Sequence, residues 1–276
     1  MPAAEDLPVL VTPAWLKRNI DRKDLLVVDC RYRLTDTSFG HNAYLQSHLP
    51  GAIFLDLNED MSGRIKKHGG RHPVPNKNEF IQLAEKIGLC DDYTIVAYDD
   101  DGSGAARLYW LLRYYGHNDI HILNGGINSW AREGLPLTRR QPDHRECDFT
   151  PRIASNINIS MRKVRDHLGK IDLIDCRAER RYLGLEEPID RKAGHIPGAR
   201  NLFYQNLLAP DNSFRPLEEL HSILSQVSEK PVFYCGSGVT SCVAFVAAMI
   251  IGKNPVLYAG SWSDWISYDD NPIETA

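Results

Sequence analysis

Residues 231–249, PVFYCGSGVTSCVAFVAAM, decide the fold, because a similar pattern occurs at residues 94–112, TIVAYDDDGSGAARLYWLL. In each stretch a run of apolar and aromatic residues leads into a short loop that contains glycines, and a second apolar segment follows. This order is typical of a strand, a loop and a helix in an α/β protein. The two stretches also raise the question of why only the second carries a cysteine at the end of its strand.

Three further blocks are repeated in the same order along the chain. The block LVVDCRYR at 26–33 returns as DLIDCRAE at 172–179, and HLPGAIFLD at 48–56 returns as HIPGARNLF at 195–203. The block NGGINSWAREGLPL similarly matches AGSWSDWISYDDNPI near the end of the sequence. Four matching blocks in a common order indicate one duplicated domain, since a solenoid would have shorter and more numerous repeats.

The duplication predicts two tandem domains, residues 1–140 and 153–276, joined by a polar linker at 138–152. In each domain short apolar strands alternate with segments of helix length, which favours a parallel sheet flanked by helices on both faces. The predicted strands are residues 26–29, 95–98, 120–123, 173–175, 232–234 and 256–258, and the clearest predicted helices are 79–87, 107–115 and 217–227.

The composition is that of an ordinary soluble globular protein, with 43% hydrophobic and 25% charged residues in 276. The 32 basic and 36 acidic residues are mixed along the chain, so no basic stripe indicates a nucleic-acid partner. The N-terminal residues lack the pattern of a signal peptide, and no apolar run is long enough to span a membrane. We expect a cytoplasmic protein with no membrane partner.

The cysteines give no sign of a disulfide framework or of a metal site. A chain of this size in a reducing compartment does not need disulfides, so we expect all of them to be free thiols. No C-x-x-C pair occurs and no histidines are spaced as ligands beside cysteines, so we expect no metal and no other cofactor. The six cysteines are Cys30, Cys90, Cys147, Cys176, Cys235 and Cys242, and we expect structural roles for Cys30, Cys176 and Cys242.

Cys235 stands where a predicted strand turns into a helix, which is where ligands bind in parallel α/β domains. Gly236 and Gly238 let the loop curl with its N–H groups pointing inward, and the following helix adds the positive end of its dipole. Such a cradle lowers the pKa of a thiol and populates the nucleophilic thiolate. A buried structural cysteine is the alternative. Because Asp99 holds the matching position in the first half, only one half carries a possible nucleophile.

The chain resembles the two-domain rhodanese family of sulfurtransferases over nearly its whole length. The resemblance rests on the duplicated unit, on HLPGA and HIPGA in the two copies, and on the strand, cysteine loop and helix of the second copy. It implies an α/β fold of two tandem rhodanese-like domains, of which the first is non-catalytic and the second carries Cys235. The loop CGSGVT is similar to that of the 3-mercaptopyruvate sulfurtransferase branch, since the thiosulfate-using branch has basic residues where Gly236 and Ser237 stand.

This resemblance implies a double displacement at Cys235. Its thiolate takes a sulfane sulfur from a small donor, keeps it as a persulfide, and passes it to a thiophilic acceptor such as cyanide, a thiol or a thioredoxin-like reductant. We expect 3-mercaptopyruvate as the donor, with thiosulfate as the alternative. Gly236 and Ser237 suggest that no fixed cation lies close to the sulfur, which disfavours the doubly charged thiosulfate.

The same resemblance assigns residues that would bind the donor. The loop residues Gly236, Gly238, Val239 and Thr240 would surround the sulfur. Arg181, in RYLG, matches one of two arginines that bind the donor's carboxylate. The second arginine normally follows a Glu-Pro pair, but Ile189 stands there, so we assign its role to Arg191.

Three further residues match the family's serine, acid and histidine beside the sulfur. They are Ser237 in the loop, Asp56 in IFLDL and His72 in GRHPVP. A histidine against a serine hydroxyl could relay a proton during the transfer. His48 and His195 lie in the repeated His-x-Pro-Gly-Ala turns of both halves, where a structural hydrogen bond explains the repetition better than catalysis does.

Two other functions are compatible with a cysteine loop on such a sheet. A cysteine phosphatase needs a longer loop that ends in an arginine to bind phosphate oxygens, and CGSGVTS has no arginine. A sulfur carrier or binding module without turnover is the more distant alternative, and the loop around Asp99 shows that the fold can lose its nucleophile. The intact Cys235 argues against that alternative.

Overall fold

The computed structural model describes residues 9–143, 147 and 149–275, and it divides into two compact units. Unit 1 comprises the described residues of Met1–Met61, Asn76–Ile153 and Pro210–Phe214. Unit 2 comprises Ser62–Pro75, Ala154–Ala209 and the described residues of Arg215–Ala276. The segment Ser62–Pro75 therefore belongs to unit 2, although the sequence-based boundary at residue 140 assigns it to the first domain.

Unit 1 contains a five-stranded parallel sheet with the strand order β1-β5-β4-β2-β3. Every residue of β2, β4 and β5 is buried, as expected for strands that helices cover on both faces. The strands are β1 Leu10–Val11, β2 Leu25–Asp29, β3 Ile53–Phe54, β4 Thr94–Tyr98 and β5 Ile120–Leu123. The helices are α1 Pro13–Asn19, α2 Phe39–Gln46, α3 Lys77–Ile87, α4 Ser103–Tyr114 and α5 Gly126–Arg132.

Unit 2 contains a four-stranded parallel sheet with the order β7-β6-β8-β9. Its strands are β6 Leu173–Asp175, β7 Arg200–Asn201, β8 Val232–Tyr234 and β9 Val256–Leu257. Its helices are α6 Met161–Asp166, α7 Glu179–Tyr182, α8 Leu217–Ile223, α9 Ser241–Ile250 and α10 Ser261–Trp265, with 3₁₀ turns at Ser155–Ile157 and Tyr204–Leu207.

The predicted α/β class with parallel sheets is confirmed, and the six predicted strands are present with bounds that differ by a single residue at most. The strands β1, β3 and β7 were not predicted, because each is only two residues long and shows no periodicity. The helix predicted at 217–227 ends at Ile223, since the chain then turns more tightly through an N–H bond from Val227 to the carbonyl of Leu224.

Each of the two sheets has its own buried ion pair at the end of a central strand. In unit 1 the guanidinium of Arg31 lies 2.6 Å from the carboxylate of Asp29, and in unit 2 Arg177 lies 2.6 Å from Asp175. The hydroxyl of Tyr98 also donates to Asp29 at 2.7 Å. Because these buried charges are paired and hydrogen-bonded, the desolvation cost of burying them is offset. The duplication therefore extends from the sequence blocks to the polar interior.

Cys90 and Cys147 form a disulfide bond, with their Cα atoms 5.4 Å apart. The expectation that all six cysteines are free thiols is therefore wrong for this pair. The two residues are separated by 57 positions and neither lies in a motif, so the sequence carries no signal of their proximity. The other four cysteines are free and buried. Within the described residues, no helix is long and apolar enough to cross a membrane.

Candidate active site

The sulfur of Cys235 is surrounded by hydrogen-bond donors. Cys235 directly follows β8 and is 2% exposed. Its Sγ accepts the backbone N–H of Gly238 at 3.2 Å and the hydroxyl of Ser241 at 3.3 Å. Burial raises the pKa of the Cys235 thiol, but hydrogen bonds from the hydroxyls of Ser241 and Thr240 and from backbone N–H groups outweigh it, so that the pKa is lower than usual. The geometry therefore favours the nucleophilic thiolate.

Close packing fixes the shape of the loop. Gly238 has φ +75°, and a Cβ atom at this position would collide with the backbone carbonyl of Ala259. The carbonyl of Cys235 accepts the N–H of Trp262 at 3.0 Å, near the start of α10. Only glycine satisfies both the positive φ and the close approach at position 238. The loop that carries Cys235 is therefore held against the segment that leads into α10.

Ser261 supports the backbone of Cys235 and was not found by the sequence analysis. Its Oγ accepts the N–H of Cys235 at 3.1 Å and donates to the carbonyl of Tyr258 at 2.9 Å. Ser261 has φ +56°, a conformation that residues other than glycine rarely adopt, whereas the matching residue of unit 1 is Gly126 with φ +55°. Such strain commonly occurs at functional sites. The second repeat reads GSW at 260–262 where the first reads GGI at 125–127, so the sequence contains this difference. Only the φ angle of Ser261 shows that its backbone is strained.

The predicted pairing of a histidine with the loop serine is present in unit 2. Nδ1 of His72 lies 2.8 Å from Oγ of Ser237. Both side chains are buried, with His72 only 4% exposed. His72 reaches the loop because Ser62–Pro75 belongs to unit 2, where the N–H of Gly69 donates to Asp264 at 2.7 Å.

Two guanidinium groups lie beside the loop. Nη2 of Arg71 is 2.9 Å from the position that a Cβ atom on Gly236 would occupy, and both Nη atoms of Arg181 are 3.6 Å from it. Two cations therefore border the residue that follows Cys235, and the expectation that none lies close to the sulfur itself stays a prediction. The sequence analysis missed Arg71, although it immediately precedes His72, because nothing in GRHPVP shows that this segment meets Arg181.

Two carboxylates hold these arginines in place. Asp190 accepts from Nη1 of Arg71 and, at 3.1 Å, from Nη2 of Arg181. Glu187 accepts from Nη2 of Arg181 at 2.7 Å and lies 3.2 Å from Arg177. Burial raises the pKa of Glu187, but the bonds from Arg181 and from nearby N–H groups outweigh burial and lower it. The two arginines beside the loop are therefore part of a paired network of charges.

Arg191, the predicted second carboxylate-binding arginine, does not join this network. Its Nη2 donates to the carbonyl of Ile266, and Asp269 lies 3.7 Å away. The side chain of Arg191 is 59% exposed. Arg71 and Arg191 both line an open cleft of about 370 Å³, but only Arg71 borders Gly236.

Asp56 lies in unit 1, where its carboxylate accepts the N–H groups of Asn58 at 2.7 Å and Glu59 at 3.0 Å. These contacts stabilise a turn, and a catalytic role for Asp56 stays a prediction. The repeated His48 and His195 each direct Nδ1 at a backbone carbonyl oxygen, at 2.7 and 2.8 Å. These are structural hydrogen bonds, as predicted. In the part of the chain that the structure describes, no three potential ligands gather as a metal site.

Comparisons with known proteins identify the family of the chain. Both halves match the rhodanese-like domain family, at residues 12–133 and 160–268. A probable 3-mercaptopyruvate sulfurtransferase of Pseudomonas aeruginosa is 39% identical over 96% of this chain and 98% of its own length. The putative thiosulfate sulfurtransferase SseB of Mycobacterium tuberculosis is 34% identical over 96% of each chain.

A solved structure shows the same fold over both halves. The 3-mercaptopyruvate sulfurtransferase SseA of Escherichia coli superposes with a TM-score of 0.82 and 27% identity, covering 93% of this chain and 100% of SseA. The family match, the relatives and the superposition each extend over nearly the full chain. The chain therefore belongs to the two-domain rhodanese family of sulfurtransferases.

Proposed function

We propose that the chain transfers sulfur from 3-mercaptopyruvate to a thiophilic acceptor through a persulfide on Cys235. One observation carries this proposal: the Cys235 sulfur accepts from Gly238 and Ser241, while Arg71 and Arg181 flank the neighbouring Gly236. A donor that combines a sulfur atom with a carboxylate needs both a nucleophile and a pair of guanidinium groups beside it.

In the first step the donor's carboxylate binds Arg71 and Arg181, and the Cys235 thiolate attacks the donor's sulfur. A bond forms between Sγ and this sulfur as the donor's C–S bond breaks. The electron pair of the C–S bond goes to carbon, giving the enolate of pyruvate, which becomes pyruvate when it takes up a proton. That proton is the one that the donor's thiol carried, so the persulfide is left as an anion, and the loop's N–H groups stabilise the negative charge on its outer sulfur.

In the second step an acceptor attacks the outer sulfur. The S–S bond breaks and its electron pair returns to Sγ of Cys235, which leaves as a thiolate. The donors that lower the pKa of Cys235 also make it a better leaving group, because a leaving thiol of lower pKa departs faster. We propose a thiol, such as a thioredoxin-like reductant, or cyanide as the acceptor.

His72 and Ser237 form the proton-transfer pair of this scheme. Nδ1 of His72 lies 2.8 Å from the hydroxyl of Ser237, and Ser237 is part of the loop that carries the nucleophile. An imidazole that is hydrogen-bonded to a hydroxyl can pass a proton from the donor's thiol, or deliver one to the enolate. Loop residues Val239 and Thr240 complete the surroundings of the sulfur, with the Thr240 hydroxyl among the groups that lower the pKa of Cys235.

Thiosulfate is the second candidate donor, and the two arginines beside Gly236 favour it more than the sequence suggests. It would form the same persulfide and release sulfite in place of pyruvate. The M. tuberculosis relative is named as a thiosulfate sulfurtransferase. The two donors therefore have to be compared directly on one enzyme preparation.

The test is to incubate the purified protein with each donor alone and to measure the intact mass and the released product. We expect one added sulfur on Cys235 and one equivalent of pyruvate with 3-mercaptopyruvate. Cys235→Ser should gain no sulfur, whereas Cys242→Ser should still gain it, because Cys242 directs its thiol at the carbonyl of Gly238. No added sulfur with either donor, or a sulfur on another cysteine, would contradict the proposal.

We place this reaction in the cytoplasm, and fractionation of cells that express the chain tests that location. Recovery in the cytoplasmic fraction supports it. Recovery in an oxidising compartment, which would suit the disulfide between Cys90 and Cys147, contradicts it.

A further inference from the structure

We infer that Asp190 sets the donor specificity of the site by placing a negative charge between Arg71 and Arg181, so that donors with one negative charge are favoured over donors with two. This inference rests on the proposed function, because it concerns the same two arginines. It assigns to Asp190 a role in selecting the donor without requiring contact between Asp190 and the donor.

Both arginines bond to Asp190 and also border the loop. Arg71 directs Nη1 to Asp190, and its Nη2 lies 2.9 Å from the Cβ position of Gly236. Arg181 directs Nη2 to Asp190 and Glu187, and both of its Nη atoms lie 3.6 Å from the same position. Asp190 therefore bonds to both guanidinium groups that border Gly236.

The charges of this group balance. Arg71 and Arg181 contribute two positive charges, and Asp190 and Glu187 contribute two negative charges. The neighbouring Arg177 pairs with Asp175 at 2.6 Å and adds no net charge. Within this cluster two carboxylates therefore balance the two guanidinium groups, while Lys66, Lys67, Arg191 and Asp269 also line the cleft that contains Arg71 and Asp190.

The negative charge of Asp190 discriminates between donors by Coulomb's law. The repulsion between Asp190 and a bound donor is twice as large for thiosulfate as for the single carboxylate of 3-mercaptopyruvate. Because the Asp190 side chain is only 4% exposed, solvent and salt screen its charge weakly. The attraction of the two guanidinium groups is also twice as large for the dianion, and the charge of Asp190 cancels part of that advantage. Removing this charge should therefore help thiosulfate more than 3-mercaptopyruvate.

A purely structural role for Asp190 makes a different prediction. If Asp190 only held Arg71 and Arg181 in place, its removal would impair both donors to the same extent. A charge effect instead changes the ratio between the donors. The ratio of the two kcat/KM values, rather than either value alone, therefore distinguishes the two roles.

The experiment compares Asp190→Asn, Asp190→Glu and the control Glu186→Gln, in which the exposed partner of Arg180 loses its charge. We expect Asp190→Asn to raise the ratio of kcat/KM for thiosulfate over 3-mercaptopyruvate about tenfold. Asp190→Glu keeps the charge, so its ratio of the two kcat/KM values should stay within about threefold of the wild-type ratio. The ratio in Glu186→Gln should stay within the same range. An unchanged ratio in Asp190→Asn overturns the inference, including the case in which both donors lose activity equally.

A measurement without turnover provides a second readout. Sulfate, a dianion, should protect Cys235 from the neutral reagent iodoacetamide, and half-protection should need about tenfold less sulfate in Asp190→Asn than in wild type. Equal sulfate requirements in the two proteins contradict the inference. If wild type forms no persulfide with either donor, the proposed function fails; if it does and the ratio is unchanged in Asp190→Asn, only the role of Asp190 fails.

Discussion

The backbone N–H of Gly102 donates to the carboxyl group of Asp99 at 2.8 Å, just as the N–H of Gly238 donates to Cys235 in the other half. The two glycines have similar positive φ angles, +85° and +75°. The N–H of Ala105 also donates to Asp99, at 2.8 Å. The loop therefore presents backbone donors to the residue that follows the strand, whichever residue that is.

The two loops nevertheless have opposite effects on the residue that they hold. Burial, together with the nearby charge of Asp101, raises the pKa of Asp99 to about 8. The pKa of Cys235 is lowered instead, because the hydroxyls of Thr240 and Ser241 add to the backbone donors. In the first half these two positions are glycine and alanine. At Asp99 the backbone donors do not outweigh burial and the neighbouring carboxylates, whereas at Cys235 the hydroxyls and backbone donors together outweigh burial.

Replacing Ser241 by Ala should therefore raise the pKa of Cys235. A hydrogen bond to a charged group contributes about 1.5–3 kcal/mol, which corresponds to an increase of about one to two pH units. The rate of Cys235 alkylation by iodoacetamide as a function of pH measures this pKa. Ser222→Ala, at an exposed position of α8, is the control and should leave the midpoint unchanged. Equal midpoints for Ser241→Ala and wild type would show that the hydroxyl does not stabilise the thiolate.

Arg71→Ala and Arg181→Ala should each lower kcat/KM for 3-mercaptopyruvate by about ten- to a hundredfold, because each removes a charged hydrogen bond to the donor's carboxylate. Arg191→Ala should stay within about threefold of wild type, since its guanidinium bonds to the carbonyl of Ile266 and is largely exposed. Steady-state kinetics on the three variants, with 3-mercaptopyruvate as the donor, measure these kcat/KM values. A larger loss in Arg191→Ala than in Arg71→Ala would return the second carboxylate-binding role to Arg191.

The duplication explains which parts of the structure the sequence could predict. Matching blocks locate β4 and β8 and place Cys235 at a strand end, because strand, loop and helix are encoded by consecutive residues. The contact between Arg71 and Asp190 joins residues far apart in sequence that belong to no shared motif. The pairing of Cys90 with Cys147 is hidden for the same reason. The family resemblance indicated His72, but only the fold shows that Arg71 accompanies it to the loop.

Gly238→Ala should destabilise the protein and abolish persulfide formation, because its Cβ atom would collide with the carbonyl of Ala259. Gly198→Ala is a matched control: Gly198 also has φ +75°, but the nearest atom is 3.9 Å from its Cβ position. Both variants carry the cost of the left-handed backbone, about 1–2 kcal/mol, and overpacking should cost Gly238→Ala about 1–3 kcal/mol more. Urea unfolding measures the difference. Equal losses of stability in the two variants would show that the loop can move away from Ala259.

The stability of the protein should fall as the pH rises from about 5 to 8, through Asp99. Its carboxyl group has a pKa of about 8 in the folded protein and an ordinary value of 3.8. Between these values the folded state keeps a proton that the unfolded state has lost, so unfolding releases a proton and is favoured at higher pH. The stability lost is at most about 1.4 kcal/mol per pH unit. The full stabilisation from Asp99 is present only below the pKa that its carboxyl group has in the unfolded protein.

The comparison of wild type with Asp99→Asn isolates this effect, because Asn resembles the protonated carboxyl group and does not titrate. We expect the free energy of unfolding of wild type, measured by urea titration at several pH values, to decrease relative to that of Asp99→Asn as the pH rises towards 8. Asp270→Asn, which removes an exposed carboxylate, should run parallel to wild type. If the Asp99→Asn and wild-type curves were also parallel, Asp99 would have to be ionised in the folded protein at neutral pH, and its two N–H donors would then outweigh its burial.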